Sequence, residues 1–247
     1  MRVAIMQPYF YPYIGYFELM ARVDRLVLFD DVQFIRRGWV NRNRIRSYQD
    51  PVGWQYLTVP VARASRSARI DEIGLHEDRD WIRRQCRTLE SVFGERIRTH
   101  PLYESFVACA AQATSSLRDY LERTLVETAA LLGLPVQIER ASRLQIGPEL
   151  RGQDRVLAVC QRVGADVYVN PPGGGSLYQA DSFRRLGTQL ELLEPTRYRG
   201  ADGRPNAFSI LDGILGDGLE AVRSHLERVA WKPRRTPPGP PTVELTP

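Results

Sequence analysis

Two adjacent carboxylates, Asp30 and Asp31, close the apolar run Arg25-Leu26-Val27-Leu28-Phe29. A strand ending on such a pair turns one carboxylate toward the crevice beyond the sheet and the other toward solvent or the following turn. In the crevice a carboxylate can take a proton from an amine, hold a substrate ammonium or ligate magnesium; a plain surface turn would use the same residues. Soon afterwards comes Arg36-Arg37-Gly38-Trp39-Val40-Asn41-Arg42-Asn43-Arg44-Ile45-Arg46. If extended, this run sets Asn41, Asn43 and Ile45 on one face and Arg42, Arg44 and Arg46 on the other. Guanidinium groups grip phosphate or carboxylate through paired hydrogen bonds, so the arginine row suits an anionic ligand, although a solvated face would look alike.

A second dense segment is Gln7-Pro8-Tyr9-Phe10-Tyr11-Pro12-Tyr13, which follows the strand Val3 to Met6 and leads through Gly15 into a helix carrying Tyr16, Phe17 and Met20. Its two prolines forbid a regular helix, so it is a stiff aromatic loop at the carboxyl end of the first strand, where open α/β sheets bind ligands. Gly15 would let the backbone approach a phosphate, and Gln7, Tyr9, Phe10 and Tyr16 would shape the site; the same aromatics could instead simply cover the sheet end. Pro171-Pro172-Gly173-Gly174-Gly175-Ser176 follows a later strand. It lacks the GK[ST] step of a P-loop, so lid, connection and phosphate cradle stay open, with Tyr178 and Asp181 placed to face the cleft. Ser209 reads first as a helix N-cap, with Asp212 beside it. Covalent catalysis has no obvious candidate, because no GxSxG elbow is present and no cysteine stands beside a histidine.

The elements that position these groups alternate. Strands are expected at Val3 to Met6, Arg25 to Phe29, Gln55 to Val61, Val136 to Ile138, Ala165 to Asn170 and Leu190 to Leu193. Helices are expected from about Gly15 to Val23, Arg79 to Phe93, Ala113 to Leu132, Gln153 to Val163 and Ser209 to Trp231, the last broken near Gly216 and Gly218. This order implies an α/β fold: a doubly wound, mostly parallel, Rossmann-like sheet with helices on both faces. One domain would span 1–231 with a helical insert at about 78–132, and 232–247 would form a flexible proline-rich tail.

The chain of 247 residues, 43% hydrophobic, can bury a full core without staples. Its three cysteines lie far apart in apolar helical patterns, and with three histidines and no CxxC or CxxH spacing they give no reason to expect a protein-held transition metal. The first strand is too short for a secretory core and no run could cross a membrane, which points to the cytoplasm. Net charge is +5, but Lys232 is the one lysine among 34 basic residues, so the arginine excess reads as codon bias and general nucleic-acid binding is not expected.

The blocks Met6-Gln7-Pro8-Tyr9-Phe10-Tyr11-Pro12-Tyr13-Ile14-Gly15-Tyr16-Phe17, Phe29-Asp30-Asp31-Val32-Gln33-Phe34, Asn41-Arg42-Asn43-Arg44-Ile45 and Leu57-Thr58-Val59-Pro60-Val61 resemble the opening of the WbqC-like family. Val163-Gly164-Ala165-Asp166-Val167-Tyr168 and Phe208-Ser209-Ile210-Leu211-Asp212 resemble its later blocks. The resemblance implies an acyl or aminoacyl transferase, of the kind proposed to place glycine or a related group on a sugar amine in polysaccharide or natural-product biosynthesis. Gln33, Thr58, Asn170, Ser209 and Asp212 are further candidates for the substrate-binding set. Two positions depart from the family pattern, Gln85 where a histidine is common and Asn170-Pro171 where Ser-Gly is common, and both bear on substrate identity. In this reading Asp30 or Asp31 orients or deprotonates the amine, Arg42 and Arg44 hold phosphate or carboxylate, and Gln7, Tyr9 and Tyr16 position the acyl group. The partners implied are a small amine acceptor and a donor such as a carrier protein or aminoacyl-tRNA.

A weaker likeness, in layout only, is to the HxGH region of nucleotidyltransferases in the HUP class, with Tyr16 where a histidine would stand. It implies a rival reading in which ATP binds at the loop and the aspartates hold magnesium. A non-catalytic module binding a sugar or carrier protein through the aromatic loop is a third.

Overall fold

The computed structural model describes residues 1–194, 196, 198–200, 203 and 205–230. The proposed tail, and the end of the last helix at Trp231, lie outside the described residues. In chain order the elements are β1 (Arg2–Met6), α1 (Ile14–Met20), β2 (Arg25–Leu28), β3 (Arg42–Arg46), β4 (Trp54–Thr58), α2 (Asp80–Phe93), α3 (Pro101–Ala111), α4 (Leu117–Leu131) and β5 (Gln137–Arg140). They continue with α5 (Gly152–Val163), β6 (Val167–Asn170), α6 (Ala180–Arg185), β7 (Gln189–Leu192), α7 (Ile210–Asp212) and α8 (Leu219–Val229).

Five strands make one parallel sheet in the order β5-β2-β1-β6-β7. Successive side chains of a strand face opposite ways, and the core divides accordingly. Ala4, Leu26, Leu28 and Val169 join a large cluster with α1, α8 and the helices α2 to α4. Val3, Ile5, Val27 and Tyr168 join a smaller one with Val156, Val159 and Cys160 of α5 and Phe183 of α6. Burial on both faces explains why β1 and β2 read as unbroken apolar runs. The chain is therefore an α/β, Rossmann-like fold, as the alternation implies. Among the described residues no helix is long and apolar enough to cross a membrane.

Three differences from the sequence reading have local causes. The segment expected as a third strand pairs outside the main sheet, β4 running antiparallel to β3 with Arg44 opposite Tyr56. Its alternation of Trp54, Tyr56 and Thr58 with Gln55 and Leu57 is that of a sheet buried on one face, not two. The amphipathic pattern does not reveal α3, whose start is set by Pro101 in its first turn and by the His100 side chain, which accepts from the Leu102 N–H at 3.1 Å. The helix expected from Ala113 starts instead at Leu117, where Ser116 caps it by accepting from the Asp119 N–H.

The final helical region is interrupted where its glycines suggest: α7 runs into a π turn over Gly213–Asp217, and Gly218 at φ 102° starts α8. Residues five apart sit about 140° apart on an α-helix, but a π turn brings them toward one side. Asp212 and Asp217 thus both reach Arg46 of β3, Asp212 Oδ1 at 2.7 Å and Asp217 Oδ1 at 3.4 Å from Nη2. Asp212 is fully buried and also accepts from the Arg46 backbone N–H at 2.7 Å. These bonds raise the Arg46 pKa above its ordinary range, with the Asp212 hydrogen bond the main cause.

Removing one partner of a buried ion pair strands the other, so Asp212→Ala should lower unfolding free energy by about 3–5 kcal/mol. Urea denaturation followed by circular dichroism measures this; a loss below about 1 kcal/mol, the worth of an exposed pair, would show that the pair is not holding the C-terminal region.

Candidate functional site

Sheet order reverses at β1, since β2 and β5 lie to one side of it and β6 and β7 to the other. The loops leaving β1 and β6 must therefore diverge, and a crevice opens between them at the carboxyl edge. Here a cleft of about 380 Å³ lies between Tyr13, Ile14, Gly15 and Glu18, at the start of α1, and Pro171 and Pro172, after β6; Thr196, Tyr198 and Asn206 line it from the C-terminal side. A side pocket of about 230 Å³, lined by Tyr9, Tyr13, Trp39, Asn43, Arg44 and Ala207, adjoins it, sharing Tyr13 and Ala207.

On the cleft wall Glu18 contacts a histidine that lies behind it. Glu18 is 3% exposed on a helix whose other residues carry no charge, and its Oε1 lies 2.5 Å from Nε2 of His225 on α8. The Thr196 hydroxyl donates to the same oxygen, and Tyr198 packs edge-on against the imidazole at 5.0 Å. Tyr198 is itself fixed through its hydroxyl, which donates to Asp217 at 3.2 Å, and Asn206 donates to that same oxygen at 3.2 Å. Glu18 thus lines the cleft while His225, which holds its carboxylate from behind, lines a further hollow beyond Tyr198.

Gly15 has a different role from the one its position suggests. A Cβ there would stand 2.4 Å from Cε2 of Tyr13, so the missing side chain is the space into which that ring folds. With the backbone covered and α1 only seven residues long, a phosphate seat at this helix start is not formed.

The remaining expected residues separate into groups. Tyr9, Gly15, Trp39 and Arg44 come together around the cleft and side pocket. Asp31 and Gln33 lie instead in another cavity of about 540 Å³ beyond β2 and β5, where the Asp31 carboxylate is ion-paired with the buried Arg155 and Gln33 donates to the Arg66 carbonyl at 2.8 Å. Asp30 is fully buried and accepts from both the Ser142 N–H, at 3.0 Å, and the Ser142 hydroxyl, at 2.6 Å. It ties β2 to the turn after β5 and cannot touch a substrate. The two aspartates therefore do not form a joint carboxylate pair.

Tyr16 is 1% exposed, donates to the Gln7 carbonyl at 3.0 Å and is held far above the ordinary tyrosine range by burial and by Tyr9 and Tyr13. It anchors the loop as a neutral phenol, and of Gln7 it uses the backbone. Phe10 belongs to the core, against Tyr11 and Tyr120. Ser209 is the helix cap, accepting from the Leu211 N–H and donating to the Tyr11 carbonyl at 2.7 Å. Asn41 is buried and donates to the Val59 carbonyl at 2.8 Å, while Arg36 donates to the Ala64 carbonyl. Arg42 lies over Tyr56 with its side chain on the Gly38 and Arg37 carbonyls. Thr58 is exposed, Asn170 is buried beneath the loop after β6 and accepts from the Tyr168 hydroxyl at 3.1 Å, and Tyr178 packs on Tyr168 and Phe183.

Sequence reasoning missed Glu18 and His225. A lone acid inside the apolar helix Ile14–Met20 was the available signal for the first; nothing local marks the second.

The WbqC-like protein family model matches residues 7–224, which takes in the loop, Glu18 and Arg44. The chain belongs to this family. It is also similar to a protein of Mycobacterium tuberculosis described as uncharacterized, 28% identical over 225 residues that cover 89% of this chain and 95% of that one. No solved structure matches it.

In this WbqC-like protein the Gly15–Tyr13 contact gives a direct test of the cleft. Gly15→Ala should swing the Tyr13 ring across the shared boundary and weaken binding in the cleft by about tenfold, or roughly 1.4 kcal/mol, with little change in melting temperature. Calorimetric titration with a cleft ligand reads this, and unchanged affinity would place the ligand elsewhere.

Proposed function

We propose that this WbqC-like protein is an acyl or aminoacyl transferase that forms an amide on a primary amine, with the crossover cleft as its reaction site. The observation that carries the reading is the contact of Glu18 with His225 on the wall of that cleft. An amine attacks an acyl carbon only once its nitrogen lone pair is free, so a carboxylate poised to take the proton is the minimum equipment, and the imidazole behind Glu18 fixes that carboxylate in place. Among the described residues both hydrogen-bond contacts of the Glu18 carboxylate fall on Oε1, from His225 and Thr196, and Oε2 is the oxygen assigned to the substrate amine in this reading.

The step balances without a redox partner. The amine nitrogen bonds to the carbonyl carbon of an activated acyl donor, an ester or thioester; the bond to the leaving oxygen or sulfur breaks; the amine proton passes to Glu18 and the leaving group departs with the electron pair. The family resemblance points to an amino sugar or related small molecule as acceptor and to glycine or another aminoacyl group as the transferred unit. Glu18 replaces Asp30 and Asp31 as the base, because Asp30 is sealed by Ser142 and Asp31 is held by Arg155.

The protein is to be mixed with amino sugars, free and nucleotide-linked, and with aminoacyl thioesters and aminoacyl-tRNA, and the products followed by mass spectrometry. An amide should form, and Glu18→Gln should lower kcat by roughly 10²–10⁴-fold while leaving KM nearly unchanged. His225→Asn should fall between the two. An amide made at the normal rate by Glu18→Gln, or none made from any pair, would defeat the reading.

A further inference from the structure

Arg44 differs from the other arginines of its strand. Its backbone is fixed on three sides: it pairs with Tyr56 across the hairpin, its carbonyl accepts from the Ser209 N–H at 2.8 Å, and its N–H donates to Asn43 Oδ1 at 2.8 Å. Its guanidinium lies over two indoles, 5.2 Å from the ring centre of Trp39 and 5.1 Å from that of Trp54. Arg46 on one side is neutralised by Asp212 and Asp217, and Arg42 on the other donates to two carbonyls. Among the described residues the Arg44 side chain makes no ion pair and no hydrogen bond, and its buried Nε has no partner.

A half-buried guanidinium with all its N–H donors idle is costly unless something outside the chain completes it. Cation–π contact with two indoles favours this placement of the guanidinium before any ligand arrives, which helps to preorganise a receptor for an oxyanion. Arg44 lines the side pocket with Tyr9, Tyr13 and Trp39, aromatic faces of the kind that stack on a sugar ring or another flat ligand. That pocket adjoins the cleft that holds Glu18, with Tyr13 and Ala207 lining both.

We infer that the side pocket is an oxyanion subsite, in which Arg44 binds a phosphate or carboxylate carried by the same small molecule whose amine lies at Glu18. The location of the amine rests on the acyl-transfer reading; the anion site does not. Arg44 acts alone here, since Arg42 does not line the pocket and the arginine row is not a joint clamp.

Calorimetric titration at low salt with inorganic phosphate, glucosamine 1-phosphate, glucosamine and glycine tests this on the wild-type chain and three variants. Arg44→Met should weaken binding of the anionic probes by about tenfold or more, Arg44→Lys should weaken it less, keeping charge without the planar fork, and Arg42→Met should leave it within about twofold. Preference for inorganic phosphate and glucosamine 1-phosphate over glycine names phosphate as the oxyanion, the reverse preference names carboxylate, and either supports the subsite. Equal losses in Arg44→Met and Arg42→Met would reduce it to diffuse electrostatics, and unchanged binding in Arg44→Met, or no anion binding to the wild type at millimolar concentration, would overturn it. Circular dichroism melts check that the variants are folded. Anion binding that depends on Arg44, together with no amide from any mixture, would keep the subsite and remove the transferase reading; amide formation with anion binding indifferent to Arg44 would do the reverse.

Discussion

The reversal of strand order at β1 is the constraint on which the site depends. A parallel sheet connected by right-handed crossovers must place successive helices on one face while it grows to one side and on the other face once it grows to the other. In this chain the reversal falls between β1 and β6, so the loop after Met6 and the loop after Asn170 part from each other and cannot close the gap with their own backbone. The two prolines of the first loop and Pro171 and Pro172 of the second keep the walls stiff. Tyr13 narrows the gap only because Gly15 gives its ring room.

The third wall comes from far along the chain. The segment carrying Thr196, Tyr198 and Asn206 reaches the cleft because Arg46 of the hairpin holds Asp212 and Asp217, and Asp217 in turn holds Tyr198 and Asn206. The π turn aims both carboxylates at one guanidinium, and it leads into the helix that delivers His225 to Glu18. The Arg46 network and the acid–base pair are thus built by the same C-terminal region, one as its fastening and the other on the surface so fastened.

The arginine row shows how uniform composition becomes differentiated by contact. Arg42, Arg44 and Arg46 share one face of one strand, as their alternation requires. The first donates to carbonyls of its own loop, the last sits in a buried ion-pair network, and the middle one lies against two indoles with its donors unused among the described residues. Asp30 and Asp31 separate similarly, one binding Ser142 and the other Arg155, although they are neighbours in the chain.

Periodicity and turn chemistry were enough to read the parallel α/β class, the aromatic loop after β1, the placing of Arg42, Arg44 and Arg46 on one face of β3, the Ser209 cap and the break before Gly218. Each of these is a local property, set by side-chain alternation, by proline geometry or by glycine at positive φ. Membership of the WbqC-like family was legible for a related reason, because its blocks are contiguous runs. Long-range pairing was not legible. Glu18 and His225 are 207 positions apart and Arg46 and Asp212 are 166 apart, so no window of sequence contains either pair. The sequence alone determined where the sheet would end and which residues would stand near its edge; only the tertiary structure decided which charges are sealed by partners and which face open space, because desolvation and ion pairing depend on neighbours that folding brings from elsewhere.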